Sequence, residues 1–500
     1  MSIDSIPSWL PPLLVGMQWV FFAYFILLNT GYLALNFISM LSILKYSREH
    51  GAKFKIRNFA SYQPPVSILV PAHNEERTIV SSIQSLLKTD CPDFEIIVVN
   101  DGSTDRTMED VVEAFGLVRF PEAYRTRIPT EQVNAVYASP KLGRVRLIDK
   151  VNGGKADALN AGINAARFPL FCVVDADCIL QRDSISRVVQ PFLEDATTVA
   201  SGGVIRVVNG CRVRDGLLEE VDLPRKLLPM LQTVEYLRAF LFGRLGWSPL
   251  NALLIISGAF GVFYKERVIA AGGYRRDTVG EDMELVVRMH DTLRKEKQPY
   301  RITFVPDPIC WTEVPSDMRS LFNQRLRWQQ GLMESLLPNW RLMFRRKGGF
   351  AGWVAYPFLL LFECIGPVIE VVGYVAVIVL ALLGLLSQEA FVVFLFASVG
   401  LGILLSVNAM VLEELSFHLY PRPMQQLKLF LVAVLENFGY RQIMSLCRFV
   451  GVVRWVITLG GKSRWGRMRR HAEWQAPATP VAAEGHDKNM DELDKARAAA

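Results

Sequence analysis

Pro169-Leu-Phe-Cys-Val-Val-Asp-Ala-Asp177 is the stretch on which the reading of this 500-residue chain turns. Leu170 to Val174 form a short apolar, β-branched run of the kind buried in a parallel sheet covered on both faces, and two carboxylates follow where such a strand ends. Ligands of open α/β sheets bind at that carboxyl edge. In an extended segment residues i and i+2 project to one side, so Asp175 and Asp177 suit a hard divalent cation. Taken alone, Asp-x-Asp is more often a helix cap beside a solvated acid. The rest of the chain has to decide between the two.

Working outward, Val66 to Val70, Phe94 to Val99 and Arg144 to Ile148 read as further strands, with helices over Glu75 to Lys88, Asp105 to Phe115 and Lys155 to Arg167. The alternation implies an α/β doubly wound, parallel sheet. Glu122 to Pro140 interrupts it and reads as a surface excursion. Beyond Val199 the pattern loosens to a strand at Val204 to Val208, a helical segment from Asp222 to Phe242, and an amphipathic helix from Arg319 to Leu337 suited to a membrane surface.

Hydrophobic residues make up 51% of the chain and are unevenly spread. Leu13 to Leu44, Trp353 to Leu386 and Phe391 to Leu412 are each long enough to cross a bilayer core of about 30 Å. The first lacks the basic flank of a signal peptide and reads as a retained anchor. Four regions follow: a transmembrane anchor over 1–48, a cytosolic unit over 60–345, transmembrane and interfacial helices over 350–460, and a basic segment with a disordered tail over 461–500. Leu427 to Leu459, apolar but dotted with Glu436, Arg441, Arg448 and Arg454, reads either as interfacial helices or as a further span. Lys45, Arg48, Lys53, Lys55 and Arg57 crowd the downstream side of the first span, which places the insert in the cytoplasm. The formal charge of +6 is accounted for by such flanks rather than by a nucleic-acid footprint. Seven cysteines, odd in number and without a Cys-x-x-Cys pair, read as reduced thiols and argue against a disulfide or zinc framework.

Four more clusters fall at strand ends or in loops of the insert. Pro71-Ala-His-Asn-Glu75 and Asn100-Asp-Gly-Ser-Thr-Asp105 follow consecutive strands, where an acid such as Asp101 can meet a nucleobase or ribose. In Asn152-Gly-Gly-Lys-Ala156 the glycines permit close backbone approach, and Lys155 at a helix start can face a diphosphate. Gly280-Glu-Asp-Met-Glu284 places adjacent acids at a helix start, where acids are also common caps. In Gln324-Arg-Leu-Arg-Trp328, residues 324, 327 and 328 share one helical face and offer an amide, a guanidinium and an indole, a set suited to a sugar diphosphate. The plainer reading is a membrane-surface helix anchored by its Trp and Arg. Glu363 and Glu370, seven residues apart inside the second span, either border a polar passage or pair with arginines of the interfacial helices.

Taken in order, these motifs resemble the inverting, membrane-embedded family 2 glycosyltransferases, the processive cellulose, hyaluronan, chitin and poly-N-acetylglucosamine synthases. The resemblance covers Ser61 to Trp340 closely and the flanking spans in arrangement. It implies a GT-A-like cytosolic domain and β-transfer of a sugar, N-acetylglucosamine or a related hexose, from a UDP-sugar to a growing polysaccharide. It implies Asp282 as general base, and Mg2+ or Mn2+ held by Asp175 and Asp177. Nucleotide contacts fall on Pro71, Asn74, Glu75, Asp101, Lys155 and Asp175. Diphosphate and acceptor contacts fall on Gln324, Arg327, Trp328, Glu281, Ser257 and Gly258. The implied partners are the UDP-sugar donor, a glycan or glycolipid acceptor, the membrane and accessory export subunits, with no nucleic acid. The implied location is the bacterial inner membrane, multi-pass, with the catalytic domain cytoplasmic. His73 stands where many relatives carry Tyr. Two rival readings stay open: a non-processive transferase acting on a membrane lipid, and a non-catalytic scaffold.

Overall fold

The computed structural model describes residues 10–57, 63–214, 216–345, 348–386 and 388–458. A ten-stranded sheet is formed by β1 (Val66–Ala72), β2 (Phe94–Asp101), β3 (Val118–Arg119), β4 (Val133–Ala138), β5 (Val145–Lys150), β6 (Leu170–Val174), β7 (Ile179–Leu180), β8 (Thr198–Val207), β11 (Phe260–Tyr264) and β12 (Arg301–Thr312), while β9 (Arg212–Arg214) and β10 (Leu217–Glu220) pair separately. The strand order is β3-β4-β5-β2-β1-β6-β11-β8-β12-β7. The quartet β5-β2-β1-β6 is parallel, as the alternation implies. β11 then runs antiparallel to both β6 and β8, and β12 lies parallel to β8.

β6 has the limits read from sequence and is buried throughout. Glu122 to Pro140 differs from the expected excursion. It contains β4, which pairs antiparallel with β5 and extends the sheet edge. Only the two-residue β3 lies beyond it, and near the sheet edge cover is partial, so β4 carries a mixed pattern instead of a continuous apolar run. A second difference concerns the acids after β6. The Cys178 amide donates to the Asp175 carbonyl at 3.0 Å, so residues 175–178 form a turn rather than an extended continuation.

The helices of this region are α2 (Ile79–Leu87), α3 (Thr107–Phe115), α4 (Lys155–Ala165), α5 (Ser184–Glu194), α6 (Leu227–Leu237), α7 (Lys265–Ala270), α8 (Glu281–Lys295) and α9 (Met318–Leu336). They are preceded by α1 (Leu10–Arg57). α6 continues as a π-helical turn over Arg238–Arg244.

Among the described residues, two helical stretches are long and apolar enough to cross a membrane, Gly16–Arg48 and Phe391–Glu414. A third is counted if Ala351–Cys364 and Gly366–Leu382, bent by 42°, form one crossing. The undecided stretch from Leu427 to Leu459 separates into Pro423–Leu435, whose 13 residues fall short of the roughly 20 a crossing needs, and Tyr440–Thr458, which packs on α9 and on Gly366–Leu382. The basic run from Lys462 and the tail from Pro477 lie outside the described residues.

Glu363 accepts from Arg448 of Tyr440–Thr458 at 2.7 Å and from the Tyr32 hydroxyl. The ion-pair reading thus holds for Glu363, while Glu370 accepts from Tyr24 at 3.4 Å and from Ser445. All seven cysteines are buried, unpaired thiols.

Candidate active site

The first two motifs are knitted together at the carboxyl ends of β1 and β2. Asn74, at φ 59°, accepts the Thr104 amide at 2.8 Å, and its own amide donates to Ser103 Oγ at 3.0 Å. The Glu75 amide donates to Thr107 Oγ1 at 2.7 Å, and a Glu75 carboxylate oxygen accepts from Thr78. Pro71 pairs with Val99 one position before the register of β1 ends at Ala72 and Asn100. His73 Nδ1 lies 2.9 Å from the Asp101 carbonyl and 3.2 Å from the Asn152 amide.

Asp101 is 3% exposed, and its carboxylate is already engaged. It accepts from Lys150 Nζ at 2.6 Å and from the Gly153 and Gly154 amides at 3.0 and 2.8 Å. Lys150 is fully buried and also pairs with Asp157 at 2.6 Å. Asp101 therefore holds the Asn152-Gly-Gly turn in place at the start of α4. A buried carboxylate is costly unless donors such as these satisfy its oxygens.

That turn delivers Lys155, the first residue of α4. Its ammonium lies 2.5 Å from Asp175 Oδ1, 3.2 Å from the Gly258 carbonyl and 3.9 Å from Glu281. Burial alone would depress this lysine, but Asp175 and Glu281 outweigh it and hold its pKa above the ordinary range. The Gly258 amide in turn donates to Asp282 Oδ2 at 2.9 Å, and Asp282 Oδ1 accepts the Met283 amide at 2.8 Å. A Cβ on Gly258 would stand 3.2 Å from Lys155 Nζ and 3.4 Å from Asp282 Cβ, so a side chain there would press the Lys155 ammonium aside by a few tenths of an ångström. Glu281 is buried beside them. Desolvation, with the like charge of Asp282 adding to it and Lys155 opposing it, pushes its carboxyl up to about 7. Asp175, Lys155, Ser257-Gly258, Glu281 and Asp282 thus form one cluster drawn from four separate segments.

α9 meets this cluster through a glycine contact. A Cβ on Gly331 would fall 2.8 Å from the Gly280 Cα, and Glu334 accepts the Val279 amide at 2.9 Å. Gly331 is one turn beyond Arg327 and Trp328, so the face carrying Gln324, Arg327 and Trp328 is the one turned toward the start of α8. Trp328 is 44% exposed and takes the Arg325 guanidinium at 4.3 Å from its ring centroid. Gln324 Oε1 is buried without a hydrogen-bond partner.

Two residues near the cluster were not singled out by the motifs. Arg244, in the π-helical turn, stacks 3.9 Å over Phe240, has an Nη1 that is buried without a hydrogen-bond partner, and feels the charge of Asp282. Tyr274 is buried where Asp282 and Glu281 both act on its hydroxyl; burial first, then those two charges, raises its pKa. The signal for Arg244 is a lone arginine in an otherwise apolar run, Ala239 to Trp247, which reads equally as a membrane flank.

Among the described residues no group of three or more His, Cys, Asp or Glu side chains converges on a metal position. Asp175 and the more buried Asp177 supply two hard carboxylates, and a cation, the Lys155 ammonium, already lies against one of them. Mg2+ is commonly held by one or two carboxylates with substrate phosphates completing its shell. The residues fit an ion bound jointly with a diphosphate.

Comparison with known proteins gives the family of this region. The profile of the family described as Glycosyltransferase like family 2 matches residues 64–331. A poly-beta-1,6-N-acetyl-D-glucosamine synthase of Staphylococcus epidermidis is 28% identical over 273 residues, 54% of this chain and 55% of that protein. The enzyme of the same name from Staphylococcus aureus (strain COL) is 29% identical over 275 residues, with the same coverage. The chain thus spans about half the length of the curated relatives it matches. Among solved structures, a mannosyltransferase of Pyrobaculum calidifontis in complex with GDP-Man and Mn2+ superposes with a TM-score of 0.49 at 19% identity, covering 84% of this chain and 99% of that one.

Proposed function

The chain belongs to glycosyltransferase family 2, and from that premise we propose that it is an inverting, processive β-glycosyltransferase that extends a polysaccharide from a UDP-sugar, N-acetylglucosamine or a related hexose. The single observation that carries the reading is the cluster in which Lys155, Asp175, Gly258 and Asp282 meet within hydrogen-bonding distance, with the Gln324 to Trp328 face of α9 docked against it at Gly280.

In this reading the loops after β1 and β2, with Pro71, Asn74 and Glu75, form the nucleotide edge. Asp101 contributes through the Asn152-Gly-Gly turn it holds. Lys155 and Arg327 balance the diphosphate charge, Gln324 and Trp328 hold the sugars, and Ser257-Gly258 and Glu281 line the acceptor end. Asp175 and Asp177 would hold Mg2+ or Mn2+ together with the donor; the chemistry such an ion supplies is neutralisation of charge on the leaving diphosphate. Asp282, oriented by the Gly258 amide, takes the proton from an acceptor hydroxyl as that oxygen attacks the anomeric carbon from the face opposite the diphosphate. One displacement inverts the centre, so an α-linked donor gives a β-linked product.

We place the catalytic unit, residues 60–345, on the cytoplasmic side of a bacterial inner membrane between the segments 1–48 and 350–460. The support is the basic flank after the first span together with the apolar helices. Accessory export subunits belong to the same reading.

The test is UDP release by membranes of the full chain against a panel of UDP-sugars. One donor should be turned over, and Asp282→Asn should lose about 10²–10⁴-fold, the usual contribution of a general base. Turnover of that variant at the wild-type rate would remove Asp282 from the mechanism; no release with any donor would return the scaffold reading.

A further inference from the structure

α9 has a second face, and a side chain on it reaches the broken apolar segment. Gln329, immediately after Trp328, is 2% exposed. Its amide nitrogen donates to the carbonyls of Glu363 and Cys364 at 3.3 and 3.1 Å. Those carbonyls stand at the break between Ala351–Cys364 and Gly366–Leu382, where the axis turns by 42°. A helix end leaves carbonyls without intrahelical partners, and in an apolar layer water does not supply them. Gln329 does. Its amide oxygen accepts Arg448 Nε at 2.9 Å, and Arg448 Nη2 donates to the Glu363 carbonyl at 2.6 Å and to its carboxylate at 2.7 Å. Gly451 presses on the same side chain; a Cβ there would stand 3.1 Å from Gln329 Cβ. Three segments are therefore pinned at one glutamine: the helix that carries Gln324, Arg327 and Trp328, the break in the apolar segment, and the Tyr440–Thr458 helix.

We propose that Gln329 is a positioning residue for the acceptor. It fixes the axial register of α9 against the bent segment, so that Trp328 keeps station over the growing end between successive additions. The inference rests on the processive reading given above and adds to it the device that ties the sugar-holding face to the membrane segment. Gln329 does not contact the Lys155, Asp175 and Asp282 cluster, so its loss acts on retention of the acceptor and not on the displacement itself.

The experiment uses the full chain reconstituted in lipid nanodiscs with the UDP-sugar it turns over. UDP release, donor KM and product length by mass spectrometry are compared for wild type, Gln329→Leu and Gln329→Glu. The leucine removes both hydrogen-bonding ends; the glutamate keeps an oxygen for Arg448 and loses the N–H for the carbonyls. In Gln329→Leu we expect UDP release and donor KM within about twofold of wild type and a mean product about tenfold shorter, the scale set by loss of buried hydrogen bonds. Gln329→Glu should fall between the two. Wild-type length in both variants overturns the proposal. So does a parallel loss of UDP release and length, which is the mark of general damage. A wild-type chain that itself adds only one sugar refutes the processive reading instead, and is seen before any variant is made.

Discussion

Glu281 and Asp282 are adjacent carboxylates that one turn of helix puts into different surroundings. Asp282 is half-exposed and takes the Gly258 amide; Glu281 is buried, with a carboxyl pushed up to about 7. Linkage fixes the consequence. Between the unfolded carboxyl value of about 4.3 and the folded value the native state binds more protons than the unfolded chain, so Glu281 favours folding at acid pH and that contribution is lost as pH rises through 7. Gln mimics the protonated acid. Glu281→Gln should therefore melt close to wild type at pH 5 and above it at pH 8; equal melting temperatures at both values would show that Glu281 is not held protonated. His290 slopes the other way. Burial lowers it to about 4, with the Leu253 carbonyl opposing and the Arg294 charge adding to the effect, so its contribution is present above about 6.5 and lost as pH falls toward 4.

At the scale of elements, α9 works because its two faces do different things. One side carries Gln324, Arg327, Trp328 and Gly331 toward the start of α8; the other buries Arg325 against Glu235 at 2.8 Å and Gln329 against the bent segment. Gly331 tests the first face. In an isolated helix Ala is worth about 1 kcal/mol more than Gly, so Gly331→Ala stabilises if packing is indifferent. Here the added methyl meets Gly280 backbone at 2.8 Å, a contact with no flexible neighbour to yield. We expect a net loss of about 1–3 kcal/mol, seen as a lower melting temperature, together with a fall in UDP release as Asp282 and Trp328 are pushed apart. A higher melting temperature with unchanged release would show the contact to be slack. The same helix marks what could be read from sequence and what could not. Gln324, Arg327 and Trp328 follow from a three-and-four spacing, and β6 from five apolar residues ending in acids. Gln329 lies in the same helix but acts on carbonyls more than thirty residues away, and no periodicity carries that. β4, one strand in from the sheet edge, has a mixed pattern that does not read as a strand. The turn at Asp175–Cys178 escapes a reading that carries strand geometry three residues beyond Val174. Arg244 shares its residue type and setting with an ordinary membrane flank.

Over the whole molecule, the sheet and the apolar helices share one core. Leu35 and Ile43 of α1, Tyr356, Cys364 and Leu412 belong to the same buried cluster as the strands. Across that boundary Arg206 of β8 meets Glu413 of the Leu401–Ser416 helix at 2.5 Å, with side chains 2% and 4% exposed. Arg206 Nε and Nη1 and Glu413 Oε1 are buried without further hydrogen-bond partners. Two charges removed from water recover their hydration only when geometry is good and every remaining donor is met. This pair meets only part of that condition, so it joins the two halves without adding much net stability. The argument separates two variants. Glu413→Gln leaves a buried guanidinium without its anion and should cost about 3–5 kcal/mol, read as a lower melting temperature of the detergent-purified full chain. The double variant Arg206→Met with Glu413→Leu removes both charges and fills the space with apolar atoms. It should melt at or above wild type while keeping UDP release, since neither residue reaches the Lys155 and Asp282 cluster. If the double variant instead fell as far as the single one, the pair would be a net source of stability, and the joint between sheet and apolar helices would be held by charge rather than by the core they share.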